Sequence, residues 1–166
     1  MIPGFVRVDG VAILPPGTRS VTTVREVEER LVQAFPDSLT RARLYSGWRD
    51  RRALMTDLYG FNDFVEWVSG SFVTGKVDPA DVDVVTLLDG PTVDGLAADV
   101  VMELNARTMG PRCKLEFGCD GYIIPEYPDG HAQRDAYLHM RGYWDEKWSD
   151  DRVTGQKGYL EVRGEA

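Results

Sequence analysis

The sequence has little cysteine and little histidine, and these scarcities exclude several kinds of protein. Its only cysteines are Cys113 and Cys119, and its only histidines are His131 and His139. Two cysteines without a second pair, and without a suitably spaced histidine, predict neither a disulfide framework nor a structural zinc site. We therefore expect reduced cysteine thiols in the core, and histidines that are surface or hydrogen-bonded side chains.

A net positive charge and long apolar runs are also lacking. The formal net charge is −8 at pH 7, and affinity for phosphate backbones comes mostly from Lys and Arg, so nonspecific nucleic-acid binding is not expected. No stretch approaches the ~20 consecutive apolar residues of a membrane span, and the N-terminus lacks a signal-peptide pattern. The sequence therefore predicts a cytoplasmic protein that does not bind membranes.

Length and composition predict one compact domain. The chain has 166 residues, of which 43% are hydrophobic, enough for one core with little room for a second. No repeats or low-complexity tracts are present. We expect a single domain over 1–166, with an extended N-terminal arm at 1–17 and a C-terminal strand and tail at 150–166.

Periodicity and turn residues predict mixed α/β (α+β) structure, with helices mainly on one face of a small mixed sheet. Thr23 begins a capping box, and Gly60 is placed to end a helix. The predicted strands cover 5–14, 64–68, 82–88, 114–124 and 158–162. The predicted helices cover 23–35, 38–59, 91–109 and 133–148.

The second predicted helix carries a concentration of arginines, namely Arg41, Arg43, Arg49, Arg51 and Arg52. We favour a solvated helix face with ion pairs to Asp50 and Asp57. The alternative is a surface that contacts RNA or an acidic protein.

The most informative segment runs from Gly70 and Ser71 to Asp81 and Asp83. Alternate residues of a strand share a face, so both aspartates point the same way while Val82 and Val84 are buried. Adjacent carboxylates repel, and a hard divalent cation such as Mg²⁺ relieves that repulsion. The Gly-Ser turn offers backbone N–H groups and a hydroxyl to phosphate oxygens. The alternative is a solvated acidic turn that has this sequence by chance.

This spacing resembles the signature of the nucleotidyltransferase superfamily, which includes DNA polymerase β and the small bacterial minimal nucleotidyltransferases. The resemblance implies a polymerase β-like fold and a bound Mg²⁺, or alternatively Mn²⁺, held by Asp81 and Asp83. It also implies a third carboxylate on a neighbouring strand, as metal ligand or base. Asp120 is the best match, and Glu116, on the same face of the predicted strand, is the reserve candidate.

The chain as a whole resembles a group of small bacterial and phage nucleotidyltransferase-like proteins. In that group a Leu-Pro-Pro-Gly arm (here 14–17), a Gly-Ser-Phe-Val-Thr-Gly-Lys segment (70–76) and a C-terminal Lys-Gly-aliphatic-Glu strand (157–161) recur. The resemblance implies that Lys157 contacts phosphate, together with Gly70 and Ser71. Lys76 is a further candidate, because a loop lysine there could reach a triphosphate; a solvated lysine is the alternative.

These features favour an enzyme that transfers NMP from an NTP to a hydroxyl of a protein or RNA acceptor. Toxin–antitoxin and phage-defence settings are implied by the resemblance alone. Two alternatives stay open: a catalytically inactive nucleotidyltransferase-fold binding module, acting as antitoxin or scaffold, and a structural protein with a chance motif.

Overall fold

The computed structural model of the chain describes residues 1–60, 62–150 and 155–163. The described part contains seven strands and six α-helices, with a π-helical turn at Glu29–Gln33 and a 3₁₀ turn at Ser71–Val73. The strands are β1 (Val6–Val8), β2 (Val11–Ile13), β3 (Arg19–Thr22), β4 (Val65–Ser69), β5 (Val82–Asp89), β6 (Cys119–Glu126) and β7 (Tyr159–Val162). The helices are α1 (Val24–Glu28), α2 (Arg41–Tyr59), α3 (Gly90–Asp94), α4 (Ala98–Thr108), α5 (Gly110–Phe117) and α6 (Arg134–Ser149).

Five strands form one mixed sheet in the order β3-β7-β4-β5-β6. The two outer pairs, β3 with β7 and β5 with β6, are parallel, and β4 is antiparallel to both of its neighbours. Strands β1 and β2 form a separate antiparallel hairpin, in the place of the predicted arm. The predicted mixed α/β fold is thereby confirmed.

The two faces of the sheet are covered unequally. On one face, Val68 and Val84 pack in a core that includes residues of α1, α2 and α5. On the other face, Trp67 and Val85 pack with aromatic side chains of α6. Most of the helical cover therefore lies on one face, as predicted, and α6 lies on the face toward which odd-numbered residues of β5 point.

Local sequence signals placed many element ends correctly. The side chain of Thr23 accepts a hydrogen bond from the Glu26 N–H at 3.2 Å, which is the predicted cap. Gly60 ends α2 in the left-handed conformation with φ of 83°. Both cysteines are buried and free, as expected. Parts of the predicted C-terminal strand and tail, at 151–154 and 164–166, lie outside the described residues.

The predicted strand at 114–124 is wrong over its first half. Residues 110–117 form α5, and the strand β6 begins only at Cys119. Pro111 lies in the first turn of this helix, and Gly118, with φ of 69°, ends it. Both are favoured helix-end positions for these residues. The predicted helix at 91–109 is divided into α3 and α4.

The prediction of a solvated arginine face on α2 is wrong for three of its five arginines. Arg41, Arg51 and Arg52 are fully buried. Buried charges persist only where they are paired or hydrogen-bonded, and here Arg51 and Arg52 each contact Glu66 at 2.6 Å. Helix α2 is therefore anchored to β4 by a buried ionic cluster.

Across the residues that the structure describes, no helix combines the length and apolarity needed to cross a membrane.

Candidate functional site

Strand pairing brings the three predicted carboxylates to one edge of the sheet, formed by the starting ends of β5 and β6. Asp83 in β5 and Asp120 in β6 are register partners in adjacent parallel strands, so their side chains leave the same face side by side. Asp81 lies immediately before β5, two residues from Asp83, and both are half-buried. The structure thus brings Asp81, Asp83 and Asp120 together.

The charges around Asp83 show how crowded this edge is. Burial, reinforced by the like charges of Asp81 and Asp120, raises the pKa of Asp83 to about 6. Lys157 and Lys114 act on the same carboxyl in the opposite direction. Two lysines therefore accompany the three carboxylates, and only Lys157 was predicted.

The predicted phosphate turn lies directly against these carboxylates. Gly70 has φ of 71°, and a Cβ placed on it would lie 1.6 Å from Oδ2 of Asp83. Next to it, Ser69 is the register partner of Asp83 on β4. The buried Ser69 hydroxyl has no hydrogen-bond partner among the described residues. Only glycine at position 70 permits this contact between the turn and Asp83.

A Gly70→Ala substitution is expected to lower the free energy of unfolding by about 2 kcal/mol, because the methyl group displaces the Asp83 carboxylate and the backbone is strained. Gly60 is the matched control, since it has φ of 83° and open space around its Cβ position. Gly60→Ala therefore measures the backbone strain alone. Urea unfolding followed by circular dichroism measures both changes, and equal losses would contradict the proposed contact with Asp83.

A cleft of about 430 Å³ opens beside the turn. Gly70, Ser71, Lys76 and Lys157 line it, and Arg7 of the β1–β2 hairpin contributes a third cationic side chain. No sequence pattern predicts this position of Arg7, because it depends on how the β1–β2 hairpin folds back on the loop. All four predicted phosphate-binding residues thus surround one cleft with cationic walls.

The loop that forms this wall is fixed from beneath by Arg41. The guanidinium of Arg41 donates to the backbone carbonyls of Phe72, Thr74 and Lys76 at 2.6–2.7 Å. It donates also to Leu31 at 2.8 Å. Backbone carbonyls that accept from one buried cation hold their segment in a single shape. Arg41 is therefore a support for the loop that sequence reasoning had placed in solvent.

The three recurring segments of the resemblance meet around the cleft. The Gly75 N–H donates to the Ala12 carbonyl at 2.7 Å, and the Gly158 N–H donates to the Leu14 carbonyl at 3.1 Å. A Cβ on Gly158 would lie 2.5 Å from Oγ1 of Thr18. These contacts bring the N-terminal arm, the Gly-Ser loop and the Lys157 segment into one wall.

Glu116, the reserve candidate for the third carboxylate, is excluded by the position of its element. It lies on α5 and not on a strand with Asp120, and it forms an ion pair with Arg107. The same helix instead supplies Lys114, whose Nζ lies 2.5 Å from Oδ2 of Asp81. That hydrogen bond, with the charge of Asp81, raises the pKa of Lys114. Reading Pro111 and Gly118 as helix ends would have revealed this placement.

One comparison with known proteins bears on this geometry. A family model matches residues 6–163, nearly the whole chain. The chain belongs to DUF6932. This is a family of unknown function, and every site residue described above lies within the matched range. Searches of the curated proteins and of the solved structures gave no match.

The donor chemistry of this DUF6932 site fits a hard divalent cation. The acidic side chains at the edge are those of Asp81, Asp83 and Asp120, and Mg²⁺ prefers oxygen ligands. Burial and the repulsion from Asp81 and Asp120 raise the pKa of Asp83, and a cation between Asp81 and Asp83 would relieve the repulsion. Among the described residues, no three acidic, cysteine or histidine side chains are arranged to hold a metal. Two carboxylates with phosphate and water are the fitting set.

The crowding at Asp83 predicts a pH-dependent stability in metal-free buffer. The pKa of about 6 in the folded state exceeds the ordinary value of ~3.9 in the unfolded chain. The stabilisation from protonated Asp83 is therefore complete below about pH 4 and lost as the pH rises through 6. Asp83→Asn should match the wild type near pH 4 and exceed it by about 2 kcal/mol near pH 8. Urea unfolding in EDTA tests this, and a difference that does not change with pH would contradict it.

Proposed function

We propose that this protein is a Mg²⁺-dependent nucleotidyltransferase that moves NMP from an NTP to a hydroxyl of a protein or RNA acceptor. The observation that carries the proposal is the contact between Gly70 and Asp83. It joins the carboxylate cluster of Asp81, Asp83 and Asp120, which suits a cation, to the cationic cleft. This cleft, lined by Lys76 and Lys157, suits phosphates. Separately, either feature has ordinary structural explanations.

Each part of the site has a distinct task in this reaction. Asp81 and Asp83 hold the cation, which when bound neutralises phosphate charge as the α-phosphorus is attacked. The backbone of Gly70 and Ser71 orients the β- and γ-phosphates. Lys76 and Lys157 on the cleft wall balance the charge of the triphosphate. Arg41 keeps the loop in the shape that these contacts need.

Asp120 is placed to accept a proton. It lies half-buried beside Asp83, next to the Tyr122 hydroxyl, whose pKa is raised by burial and by the charge of Asp120. The acceptor oxygen attacks the α-phosphorus, and the bond from that phosphorus to the bridging oxygen breaks. Pyrophosphate leaves with the electron pair, and Asp120 takes the hydroxyl proton. The products are pyrophosphate and a phosphodiester that joins the nucleoside to the acceptor oxygen.

Label transfer tests the proposal. The purified protein is incubated with each NTP, labelled at the α- or the γ-phosphate, with Mg²⁺ and a bacterial extract. We expect macromolecular label from the α-position only, with loss of the label on ribonuclease or on protease treatment naming the acceptor. Label from the γ-position would indicate a kinase, and absence of label with every NTP would contradict transfer.

A second candidate function is a binding module that holds nucleotide without turnover. The observation that favours it is the absence, among the residues described, of three side chains arranged to hold a metal. This candidate predicts saturable NTP binding in equilibrium dialysis, with no release of pyrophosphate from any NTP.

A further inference from the structure

Lys114 is a cationic side chain that forms a hydrogen bond with the carboxylate cluster. Its Nζ donates a hydrogen bond to Oδ2 of Asp81 at 2.5 Å, and both groups are charged, which strengthens such a bond. The side chain of Lys114 is 53% exposed and that of Asp81 is 19% exposed. The ammonium thus sits at the rim, where rotation about its own side chain can carry it into solvent.

The backbone of Lys114 is fixed relative to Asp81. The Lys114 carbonyl accepts from the Gly118 N–H at 2.9 Å, and the Gly118 carbonyl accepts from the Val82 N–H at 3.0 Å. Val82 follows Asp81 in the chain, so two hydrogen bonds connect the end of α5 to the start of β5. The pairing of Lys114 with Asp81 is therefore built into the fold, while the long side chain remains able to move.

The Lys114 ammonium binds a carboxylate that is also a candidate ligand for the cation. Oδ2 of Asp81 accepts a hydrogen bond from Lys114, and a metal between Asp81 and Asp83 needs the same carboxylate. The orphaned Ser69 hydroxyl opposite Asp83 is an independent sign that a polar ligand belongs at this edge. Lys114 and a divalent cation are alternative partners of one carboxylate.

We propose that Lys114 is a tethered counter-cation that must release Asp81 before a divalent cation binds between Asp81 and Asp83. It sets the metal concentration at which the site loads. The inference rests on the proposed function, because it assumes that these aspartates hold the metal. Lys114 acts here as a positioning residue for Asp81, in competition with the metal.

Two substitutions shift the competition in opposite directions. Lys114→Met removes the competitor, and metal affinity should rise roughly two- to fivefold, the range that an exposed ion pair supplies. Lys114→Arg keeps the charge, but the planar guanidinium binds a carboxylate through two parallel N–H donors. Metal affinity should therefore fall by a similar factor. Arg112→Met is the control, because it removes one positive charge from the same helix at a residue paired with Glu116.

The measurement is calorimetric titration of the purified full chain with Mn²⁺ alone and with Mg²⁺ alone, with circular dichroism to verify folding. Tighter binding by Lys114→Met than by Arg112→Met, with weaker binding by Lys114→Arg, supports the proposal. Equal affinities of Lys114→Arg and wild type, or of Lys114→Met and Arg112→Met, overturn it and leave the proposed function standing. No metal binding by any of the four proteins overturns both.

Discussion

Replacing Glu66 with alanine is expected to destabilise the protein by about 4 kcal/mol or more, a large part of the stability of a domain of this size. Glu66 is fully buried, and its carboxylate contacts the guanidinium groups of Arg51 and Arg52 at 2.6 Å. It also accepts from Trp48 Nε1 at 2.8 Å and from Thr86 Oγ1 at 2.9 Å. Alanine leaves two buried cations without their anion, together with unsatisfied donors.

The pKa of Glu66 shows how strongly this cluster favours the charged form. Burial alone raises that pKa, but the guanidinium groups of Arg52 and Arg51 outweigh it, and the net pKa lies below the ordinary value. Stabilisation from this carboxylate is therefore present above the unfolded-state pKa and lost as the pH falls through the folded one.

Urea unfolding at neutral pH measures the loss. Glu103→Ala is the matched control, because it removes a glutamate whose ion pair with Arg107 is largely exposed, and such pairs contribute less than about 1 kcal/mol. A Glu66→Ala protein within 1 kcal/mol of wild type, as the control is expected to be, would contradict the view that the ionic cluster fixes α2 against the sheet.

The second large effect is on activity. In the Asp81→Asn/Asp83→Asn double variant, NMP transfer is expected to fall by roughly 10³-fold or more, because the loss of metal-mediated charge neutralisation raises the barrier by several kcal/mol. Stability at neutral pH should not fall, since the variant also removes the burial of a charged carboxylate and its repulsion by Asp81, which contribute to the raised pKa of Asp83. Loss of activity without loss of stability separates a functional from a structural role.

Pyrophosphate release from NTP, measured with and without acceptor extract, quantifies this change. The control is Asp99→Asn/Glu103→Gln, which removes two negative charges from α4, where Asp99 accepts from the Val100 N–H and Glu103 pairs with Arg107. It should transfer NMP at the wild-type rate. A double aspartate variant that remains within tenfold of wild type would show that Asp81 and Asp83 do not hold the cation.

Much of the site's placement follows from local rules that a sequence displays. Alternation at the start of β5 puts Asp81 and Asp83 on one side, and Val82 and Val84 are buried. Gly70 and Ser71 fall at the end of a strand as the turn residues predict. Asp120 could be predicted on a neighbouring strand, because an isolated charge in an apolar segment is unfavourable unless it has a functional role.

Other features depend on contacts that are distant in sequence. Segment 110–117 has enough apolar residues for strand or helix, and the choice rested on Pro111 and Gly118 at its ends. On α4, the apolar Val100 and Val101 are half-buried, whereas Leu104 is fully buried. Short apolar runs do not by themselves identify the face that meets the core.

The buried arginines are the clearest case of a tertiary effect. An arginine-rich helix ordinarily faces solvent, and the carboxylate of Glu66, on a strand after the helix, helps to make burial of Arg51 and Arg52 tolerable. Arg41 likewise needs four backbone carbonyls from segments on either side of it. Neither arrangement has a local signature, because the partner positions are set by the folded sheet.

The central claim is that the carboxylate cluster and the cationic cleft form one nucleotide site. Thermal unfolding of the wild type and of Asp81→Asn/Asp83→Asn, with each NTP and with or without Mg²⁺, tests it most directly. For at least one NTP at about 100 times its dissociation constant, the account predicts a Mg²⁺-dependent rise in Tm of about 5–10 °C in the wild type, and no such rise in the variant. No change in Tm with any NTP at millimolar concentration, or an equal rise in both proteins, would contradict it.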